Sequence, residues 1–260
     1  MADEPKVVTG LGLAELHRIL VRGRDLTEDL LGNITFTEMV LFELTGRIPT
    51  ANQSRMIDAL LVILVEHGMV ASVVASRSTY HTAPEAIQGA VAAALLTAGS
   101  VHLGSSEYCA KMLVDALPAD AKEGDLDKVA GEIVDKYAAS KTRVAGIGHR
   151  THAEGDPRAV RLFQIARETE VFGRYCDLLL RVSTLAGDRA GRPLPVNVTG
   201  AIGAIALDLG LPWQMAKAFA LIGRTLGALA HIGEEIRNPM AQNIDAAIKA
   251  RLVYEVDAPQ

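Results

Sequence analysis

The hydrophobic residues of this chain follow a helical spacing along most of its length. Between Gln53 and Glu66 they recur at intervals of three and four residues, which places them on one face of a helix. Alternation of β-branched and polar residues, the pattern of half-buried strands, hardly occurs. We therefore predict an all-α protein with few and short strands.

Capping signals mark the ends of several predicted helices. Thr35 and Glu38 form a capping box before an apolar run, and Gly46 stands where helices commonly end in the left-handed conformation. Asp156 and Pro157 open another helix, because aspartate is a good N-cap and proline is favoured at the first helical position. The predicted helices cover residues 36–45, 53–66, about 85–98, about 105–116, about 125–139, a segment from 157, 172–185, 198–209 and about 212–236.

The composition is that of a folded globular protein. Of the 260 residues, 49% are hydrophobic and 22% are charged, which excludes a disordered or collagen-like chain. Acidic residues number 31 against 26 lysines and arginines, so no excess of positive charge is available to neutralise a phosphate backbone. We therefore expect no nucleic acid partner.

The same composition bears on the compartment. Cys109 and Cys176 lie far apart without a C-x-x-C motif, and the first ten residues lack the apolar run of a signal peptide. Both features favour a cytoplasmic location. The stretch between Glu85 and Glu107 carries no charge, but its glutamine, histidine, glycine and serine residues make it a poor membrane span. We expect a buried helix there and no membrane partner.

Several cations occupy positions where solvated charges are unusual. Arg158 falls in the first turn of the helix that Asp156 caps, where a cation opposes the helix dipole. This placement is understandable if Arg158 and the backbone N–H groups together bind an anion such as a carboxylate or a phosphate. The alternative is an ion pair with Asp156 or a side chain that faces solvent. His149 and Arg150 stand close by in the same glycine-rich segment.

The last long helix carries a second group of cations. Arg224 and His231 are two turns apart and share a face with small and apolar neighbours, where an arginine is costly unless it meets an anion. A structural salt bridge is the alternative. Arg237, near the end of this helix, could simply interact with the dipole. For His67 and His102, each taken alone, a capping or hydrogen-bonded core histidine is the competing interpretation.

Known metal and nucleotide motifs are missing from the sequence. His149 and His152 have no cysteine or carboxylate cluster at ligand spacing, so we expect no metal site. Gly146 and Gly148 lack the third glycine of a dinucleotide fingerprint, and no G-x-x-x-x-G-K-S/T, G-x-S-x-G or H-E-x-x-H occurs. Nucleotide-driven, serine-hydrolase and zinc-protease chemistry therefore lose their main support.

The order of these segments resembles that of a known family. The matching segments are Val21–Leu30, Phe36–Pro49, Glu66–Gly68, Val101–Glu107, Gly146–Arg150 with Asp156–Arg158, Pro195–Gly200 and Ile222–His231. They resemble the citrate synthase superfamily, and within it the short citryl-CoA lyase branch that is similar to the C-terminal module of ATP-citrate lyase. The G-x-G-H…D-P-R and G-R-x-x-G-x-x-x-H matches are the specific ones.

The resemblance implies an architecture and a reaction. The fold would be a two-lobed, all-α homodimer with a large domain of residues 1–103 and 213–260 and a small domain of residues 104–212. The expected activity is cleavage of citryl-CoA, or of a related carboxylated 3-hydroxyacyl-CoA, to acetyl-CoA and an oxo-acid such as oxaloacetate. The partners would be a small carboxylate and a CoA thioester, with no permanently bound cofactor. The runner-up is a citrate synthase-type acyltransferase acting on a different oxo-acid.

The resemblance also implies roles for individual residues. His67 and His149 would hydrogen-bond the oxo-acid, Arg158 and Arg224 would pair with its carboxylates, and His102 would stabilise the thioester enol. Further substrate-binding residues would be Arg150 and Arg237, the latter resembling an arginine lent across the dimer. Coenzyme A would be held by a loop whose predicted contacts are Lys141, Arg143, Val144, Ala145, Gly146, Ile147 and Gly148.

Thr199 departs from the family pattern. It takes the place of the catalytic aspartate at the third residue of N-V-D, and threonine does not ionise near neutral pH. Leu103 is a smaller departure, because glycine usually follows the loop histidine. Three interpretations stay open: Thr199 holds a water that moves the proton, another substrate and another acid–base group are used, or the chain binds CoA thioesters without catalysis.

Overall fold

The computed structural model describes residues 7–99, 104–120, 125–148 and 154–256. Within these ranges the helices are α1 Phe36–Thr45, α2 Ala51–Val65, α3 Ala71–Thr82, α4 Ile87–Leu96, α5 Ser105–Ala116, α6 Leu126–Ala139, α7 Pro157–Glu168, α8 Arg174–Ala190, α9 Val198–Asp208, α10 Ala218–Arg237 and α11 Ala241–Lys249. The strands described are β1 Gly12–Ala14, β2 Ile19–Val21 and β3 Arg24–Asp25. The prediction of an all-α protein with few and short strands is confirmed. None of the described helices combines the length and apolarity that a membrane crossing needs.

The three strands form a small antiparallel sheet in the order β1-β2-β3. Leu13 pairs with Leu20, and Val21 pairs with Arg24 across a tight turn. The turn contains Gly23 at a φ of +80°, a conformation that glycine adopts without steric cost. A single π-helical turn, Leu26–Leu30, follows the sheet and leads into α1.

The local capping signals are borne out where they were strongest. Thr35 and Glu38 satisfy each other's backbone N–H groups at the start of α1, and Gly46 ends it at a φ of +76°. The next helix begins at Ala51, two residues earlier than predicted, because Thr50 and Gln53 form a second capping box.

The later helices agree in place but shift at their ends. The helix predicted over 172–185 continues to Ala190, where Gly191 supplies a left-handed end. The helix predicted from Pro212 begins at Ala218, because residues Trp213–Met215 form a separate 3₁₀ turn.

Two helices were not predicted, and both lack a local start signal. α3 begins after Val70, which offers no side-chain cap, and α11 begins after Met240 in the same way. The first N–H groups of α11 are capped from another helix, since the Glu235 carboxylate accepts hydrogen bonds from Met240 and Ala241 at 3.0–3.1 Å. A cap supplied by tertiary structure leaves no pattern in the local sequence.

Helix α9 forms the centre of the core. Nine of its residues are buried, including Ala201, Ile202 and Ile205, as expected of a helix that is apolar on every side. It packs against α5, α7 and α8. This burial fixes the N-terminal turn of α9, with Thr199, in relation to the rest of the protein.

Helix α10 packs on α2, α3 and α4. Its backbone approaches that of α2 very closely. A Cβ at Gly223 would lie 3.0 Å from the Leu61 carbonyl oxygen, and a Cβ at Gly227 would overlap the Val65 carbonyl. Glycine therefore allows α10 to approach the end of α2 closely. This close contact places Arg224 and His231 beside Glu66.

We expect Gly227→Ala to lower the free energy of unfolding by about 1–3 kcal/mol, because the added methyl group must push α10 away from α2. The matched control is Gly131→Ala in α6, where no atom lies within 4 Å of an added Cβ. There alanine should raise the free energy of unfolding by up to about 1 kcal/mol. Urea denaturation of both variants measures the difference. Equal stability of the two variants would contradict the close packing.

Candidate functional site

A cavity of about 380 Å³ brings together residues from distant parts of the chain. Four of the predicted site residues line it, namely His67, Arg158, Thr199 and Arg224. The remaining lining residues are Ile63, Leu64, Glu66, Val70, Ala71, Ser72, Thr97, Ala98, Ser105, Asn197 and Val198. The wall is therefore partly apolar, with cations, hydroxyls and one carboxylate set into it.

Four helices present their first turns to this cavity. The lining residues include Ala71 and Ser72 of α3, Ser105 of α5, Arg158 of α7 and Thr199 of α9. Helix N-termini carry unpaired N–H groups and a partial positive charge, so their convergence favours a bound anion. Neither α3 nor α5 receives a hydrogen bond from the side chain of its N-cap residue.

The Asp156 carboxylate organises two of these helix ends. It is 1% exposed, and it accepts hydrogen bonds from the Arg158 side chain at 3.0 Å on each oxygen. Its Oδ2 also accepts the Val198 N–H at 2.9 Å. Burial works against the charged form, but the hydrogen bonds from Arg158 and Val198 outweigh it and hold the pKa of Asp156 below its ordinary value.

For Arg158 the ion pair with Asp156, the alternative interpretation of its position, is present. Its side chain, 33% exposed, also lines the cavity. The pair uses Nε and one terminal nitrogen. Since a guanidinium has five N–H donors, the others can reach a bound anion.

Arg224 is a half-buried cation without a counter-charge in contact. Among the described residues no carboxylate lies within ion-pair distance of its guanidinium, so the structural salt bridge considered as an alternative is not present there. Burial lowers the pKa of Arg224, and the more distant Glu66 carboxylate only partly offsets this. A cation held in this way is costly unless an anion joins it.

Glu66 folds back over the turn that carries His67. Its Oε1 accepts the N–H groups of His67 at 2.8 Å and Gly68 at 2.5 Å, and its Oε2 lies 3.0 Å from His231 Nε2. Burial raises the pKa of Glu66, but the N–H groups of Gly68 and His67 and the His231 ring outweigh it and give a net lowering. The side chains of Glu66 and His67 both reach the cavity wall.

Thr199 is held by a hydrogen-bonded chain at the start of α9. Its hydroxyl donates to Asn197 Oδ1 at 2.7 Å, and Asn197 Nδ2 donates to the Gly148 carbonyl at 2.9 Å. Asn197 also caps α9 by accepting the Gly200 N–H at 3.0 Å. With its proton directed to Asn197, the Thr199 oxygen has lone pairs left to accept a hydrogen bond from a ligand or a water.

The sequence matches the family described as "Citrate synthase, C-terminal domain" over residues 12–245. The chain belongs to the citrate synthase family. Among curated proteins it is similar to the citrate synthase of Saccharolobus solfataricus, with 27% identity over 208 residues, 78% of this chain and 53% of the relative. The chain thus spans about half the length of the curated relatives it matches.

Solved structures of the family share this fold. The citryl-CoA lyase of Hydrogenobacter thermophilus superposes with a TM-score of 0.86 at 32% identity, covering 98% of this chain and 96% of that one. An ATP citrate lyase of Methanosaeta concilii, in complex with (3S)-citryl-CoA, superposes with a TM-score of 0.72 at 16% identity, covering 99% and 43%. The expected citrate synthase-like fold is confirmed.

The loop predicted to hold coenzyme A in this citrate synthase-family chain lies beside the cavity, not in its wall. Gly148 N–H donates to the Pro195 carbonyl at 2.7 Å, and Ile147 pairs with Val196. A Cβ at Gly200 would overlap the Gly146 carbonyl, so the two glycines allow the loop to rest on α9. The side chains of Lys141 and Arg143 are exposed.

Some predicted site residues are not brought to the cavity. Arg237 is the exposed last residue of α10 and does not line it. His102, His149 and Arg150 lie outside the described residues. Their roles stay predictions. Among the described residues, no three His, Cys, Asp or Glu side chains form a group suited to a metal ion.

Sequence reasoning missed several lining residues. Ser72 belongs to α3, which begins without a side-chain cap and was not predicted, and Ser105 opens a predicted helix but was not singled out as a site residue. Glu66 stands directly before His67, and its role depends on His231, which lies far away in the sequence. Asn197 could have been found, because an asparagine before an apolar helix is a recognised N-cap signal.

We expect Asp156→Asn to lower the free energy of unfolding at pH 7 by about 2–4 kcal/mol, because it disrupts a buried charged pair and the tie to α9. The folded-state pKa of Asp156 lies below its unfolded value, so its stabilisation is complete above about pH 4 and is lost as the pH falls through the folded value. The difference between wild type and variant should therefore shrink on acidification.

Urea denaturation at neutral pH and at several acidic pH values measures this difference. The exposed Asp188→Asn in α8 serves as the control and should leave stability nearly unchanged. A difference between wild type and Asp156→Asn that stays constant down to pH 3 would contradict the assigned role of the carboxylate.

Proposed function

We propose that this chain is a citryl-CoA lyase-like enzyme that cleaves citryl-CoA to acetyl-CoA and oxaloacetate. The observation that carries the proposal is the cavity lined by His67, Arg158, Thr199 and Arg224. The first turns of four helices also line it. The near-equal coverage of this chain and the Hydrogenobacter citryl-CoA lyase, 98% and 96%, supports a lyase of this size.

The carboxylates of the citryl group would bind to the two arginines. Within the described ranges Arg224 has no contacting counter-charge, and Arg158 has donors beyond those used by Asp156. Guanidinium groups bind carboxylates through paired hydrogen bonds, and the start of α3, which has no side-chain cap, adds favourable N–H donors. The apolar part of the wall, including Ile63 and Val70, limits water around the reacting carbons.

The reaction breaks the bond between the hydroxyl-bearing carbon and the carbon next to the thioester. The hydroxyl proton leaves, its oxygen becomes the ketone of oxaloacetate, and the bonding pair passes to the thioester as an enolate. Protonation of that enolate at carbon gives acetyl-CoA. His149 would take the hydroxyl proton, and His102 would stabilise the enolate oxygen.

Thr199 would take part by holding a water. Its hydroxyl does not ionise near neutral pH, and its proton is directed to Asn197 at 2.7 Å. The free lone pairs of its oxygen can accept a hydrogen bond from a water that protonates the enolate carbon and is reprotonated with the proton that His149 took from the hydroxyl. This role requires no negative charge at position 199.

Two observations favour other activities. The replacement of the family's aspartate by Thr199 favours a CoA-thioester-binding protein without turnover, or a different acyl-CoA substrate. The curated relatives bear the name citrate synthase, which favours the reverse reaction, condensation of an acyl-CoA with an oxo-acid. The same cavity would serve condensation, because it stabilises the same enolate and carboxylates.

The assembly belongs to the same proposal. Helices α2, α3, α4 and α10 pack together, as do α5 to α9, which supports a large domain of residues 1–103 and 213–260 and a small one of residues 104–212. A homodimer would let Arg237 reach the partner's cavity, and the loop of residues 141–148 would hold coenzyme A.

Buried free thiols at Cys109 and Cys176 are consistent with the reducing cytoplasm.

We expect the wild-type protein to release acetyl-CoA and oxaloacetate from citryl-CoA in a coupled assay, and Thr199→Asp to be no faster. Thr199→Val should lower kcat by about 10- to 100-fold, because it keeps the side-chain shape and removes the hydroxyl that holds the water. The control is Thr184→Val, an exposed threonine on α8 that bonds only to the Leu180 carbonyl among the described residues.

Each outcome of this assay separates the candidate functions. Turnover by Thr199→Asp alone would show a competent site whose natural form uses another substrate or only binds. Equal rates for wild type and Thr199→Val would refute the role given to the hydroxyl. Absence of turnover in every variant, with binding of citryl-CoA retained, would favour the binding protein.

We expect Arg224→Met to be at least as stable as wild type without ligand, because it removes a half-buried cation that contacts no counter-charge in the described part of the chain. Citrate at 100 times its Kd should stabilise the wild type by about 2.7 kcal/mol and should have little effect on the variant. Urea denaturation with and without citrate measures both quantities. Arg161→Met, an exposed residue of α7 paired with Glu168, should keep the citrate effect. Undiminished stabilisation of Arg224→Met would exclude the proposed carboxylate site.

A further inference from the structure

The Glu66 side chain contacts the backbone of the turn that carries His67. The Glu66 carboxylate accepts the N–H groups of both His67 and Gly68 through Oε1. Gly68 has a φ of +70°, so the chain reverses sharply at this point. The turn lies between two helices, since α2 ends at Val65 and α3 begins at Ala71. The orientation of Glu66 therefore contributes to the position of the His67 backbone.

Glu66 is itself oriented from α10. Its side chain is 55% exposed, whereas the His231 side chain that contacts its Oε2 is only 13% exposed. Because an ionised carboxylate only accepts hydrogen bonds, His231 Nε2 must carry the proton in this contact. The buried partner thus fixes the exposed one.

His231 stands beside an ionic network that joins α10 to α3. Its Nδ1 lies 3.7 Å from Glu234 Oε2, too far for a hydrogen bond, and has no hydrogen-bond partner within the described ranges. Glu234 pairs with Arg77 at 2.6 Å, and Arg77, 3% exposed, also pairs with Glu235 at 2.7 Å. α3 and α10 are therefore locked together behind the His231 ring.

We propose that His231 is a positioning residue that holds His67 at the cavity through Glu66. This inference rests on the proposed function in one respect, since His67 is taken as a substrate-binding residue. A buried histidine that leaves one ring nitrogen unpaired is costly. Its geometry is explained by the single hydrogen bond that it makes to Glu66.

Two substitutions at each position test the chain of contacts. His231→Leu removes the donor, whereas His231→Gln places an amide N–H near the position of Nε2 and should restore the bond to Glu66. Glu66→Ala removes the acceptor. In Glu66→Gln the amide oxygen can keep the backbone N–H groups while its NH₂ donates to Nε2, with the ring proton moved to Nδ1 facing Glu234. The exposed His81→Leu on α3 is the control.

Hydrogen exchange of the His67 and Gly68 amides gives a readout that does not depend on activity. We expect exchange at least about 10-fold faster in His231→Leu and Glu66→Ala, and near wild-type exchange in His231→Gln, Glu66→Gln and His81→Leu. The Leu60 amide, inside α2, should be unchanged in all of them, which separates a local effect from global destabilisation. Unchanged exchange at His67 and Gly68 in His231→Leu would overturn the proposal.

Steady-state kinetics with citryl-CoA tests whether the position of His67 affects activity. His231→Leu should lower kcat/KM by about 10- to 100-fold, with recovery in His231→Gln, because misplacement of a binding group by about 1 Å has effects of this size. Wild-type turnover that is unaffected by His231→Leu would overturn the positioning role. If the wild type does not turn over citryl-CoA, the proposed function fails, and amide exchange alone then decides whether His231 positions His67.

Discussion

The site depends on the hydrogen bonds that the buried Asp156 carboxylate accepts. This carboxylate receives the Arg158 guanidinium and the Val198 N–H group, so it joins the first turns of α7 and α9. Without this charge, two helix N-termini and a cation would face one another across a partly apolar cavity. Because α9 is buried along its length, the hydrogen bond from Val198 to Asp156 connects the cavity wall to the hydrophobic core.

The cavity carries more positive character than the protein neutralises. Arg224 has no contacting counter-charge among the described residues, and α3 and α5 begin there without side-chain caps. Each feature is unfavourable in the empty protein, and each becomes favourable when an anion binds. Positive character of this kind favours an anionic ligand and works against folding stability, a balance that is common at binding sites.

Two glycines, Gly227 and Gly200, allow close backbone contacts at two places next to the site. Gly227 lets α10 approach the end of α2, which brings Arg224 and His231 to Glu66, and Gly200 lets the 146–148 loop lie on the start of α9. The hydrogen bonds from Thr199 through Asn197 to Gly148 then connect that loop to the cavity. The departure from aspartate at position 199 is thus accommodated without a gap in the hydrogen bonding.

The sequence by itself determined the all-α class, the starts of α1 and α7 and the set of cations and histidines, because capping and helical spacing act over a few residues. It left open whether Arg158 and Arg224 were paired, and it did not reveal α3, α11 or the contact between Glu66 and His231. Those depend on partners far apart in the chain, as when Glu235 caps α11 and Asp156 binds Val198. Only the tertiary structure decides which distant charges and N–H groups meet.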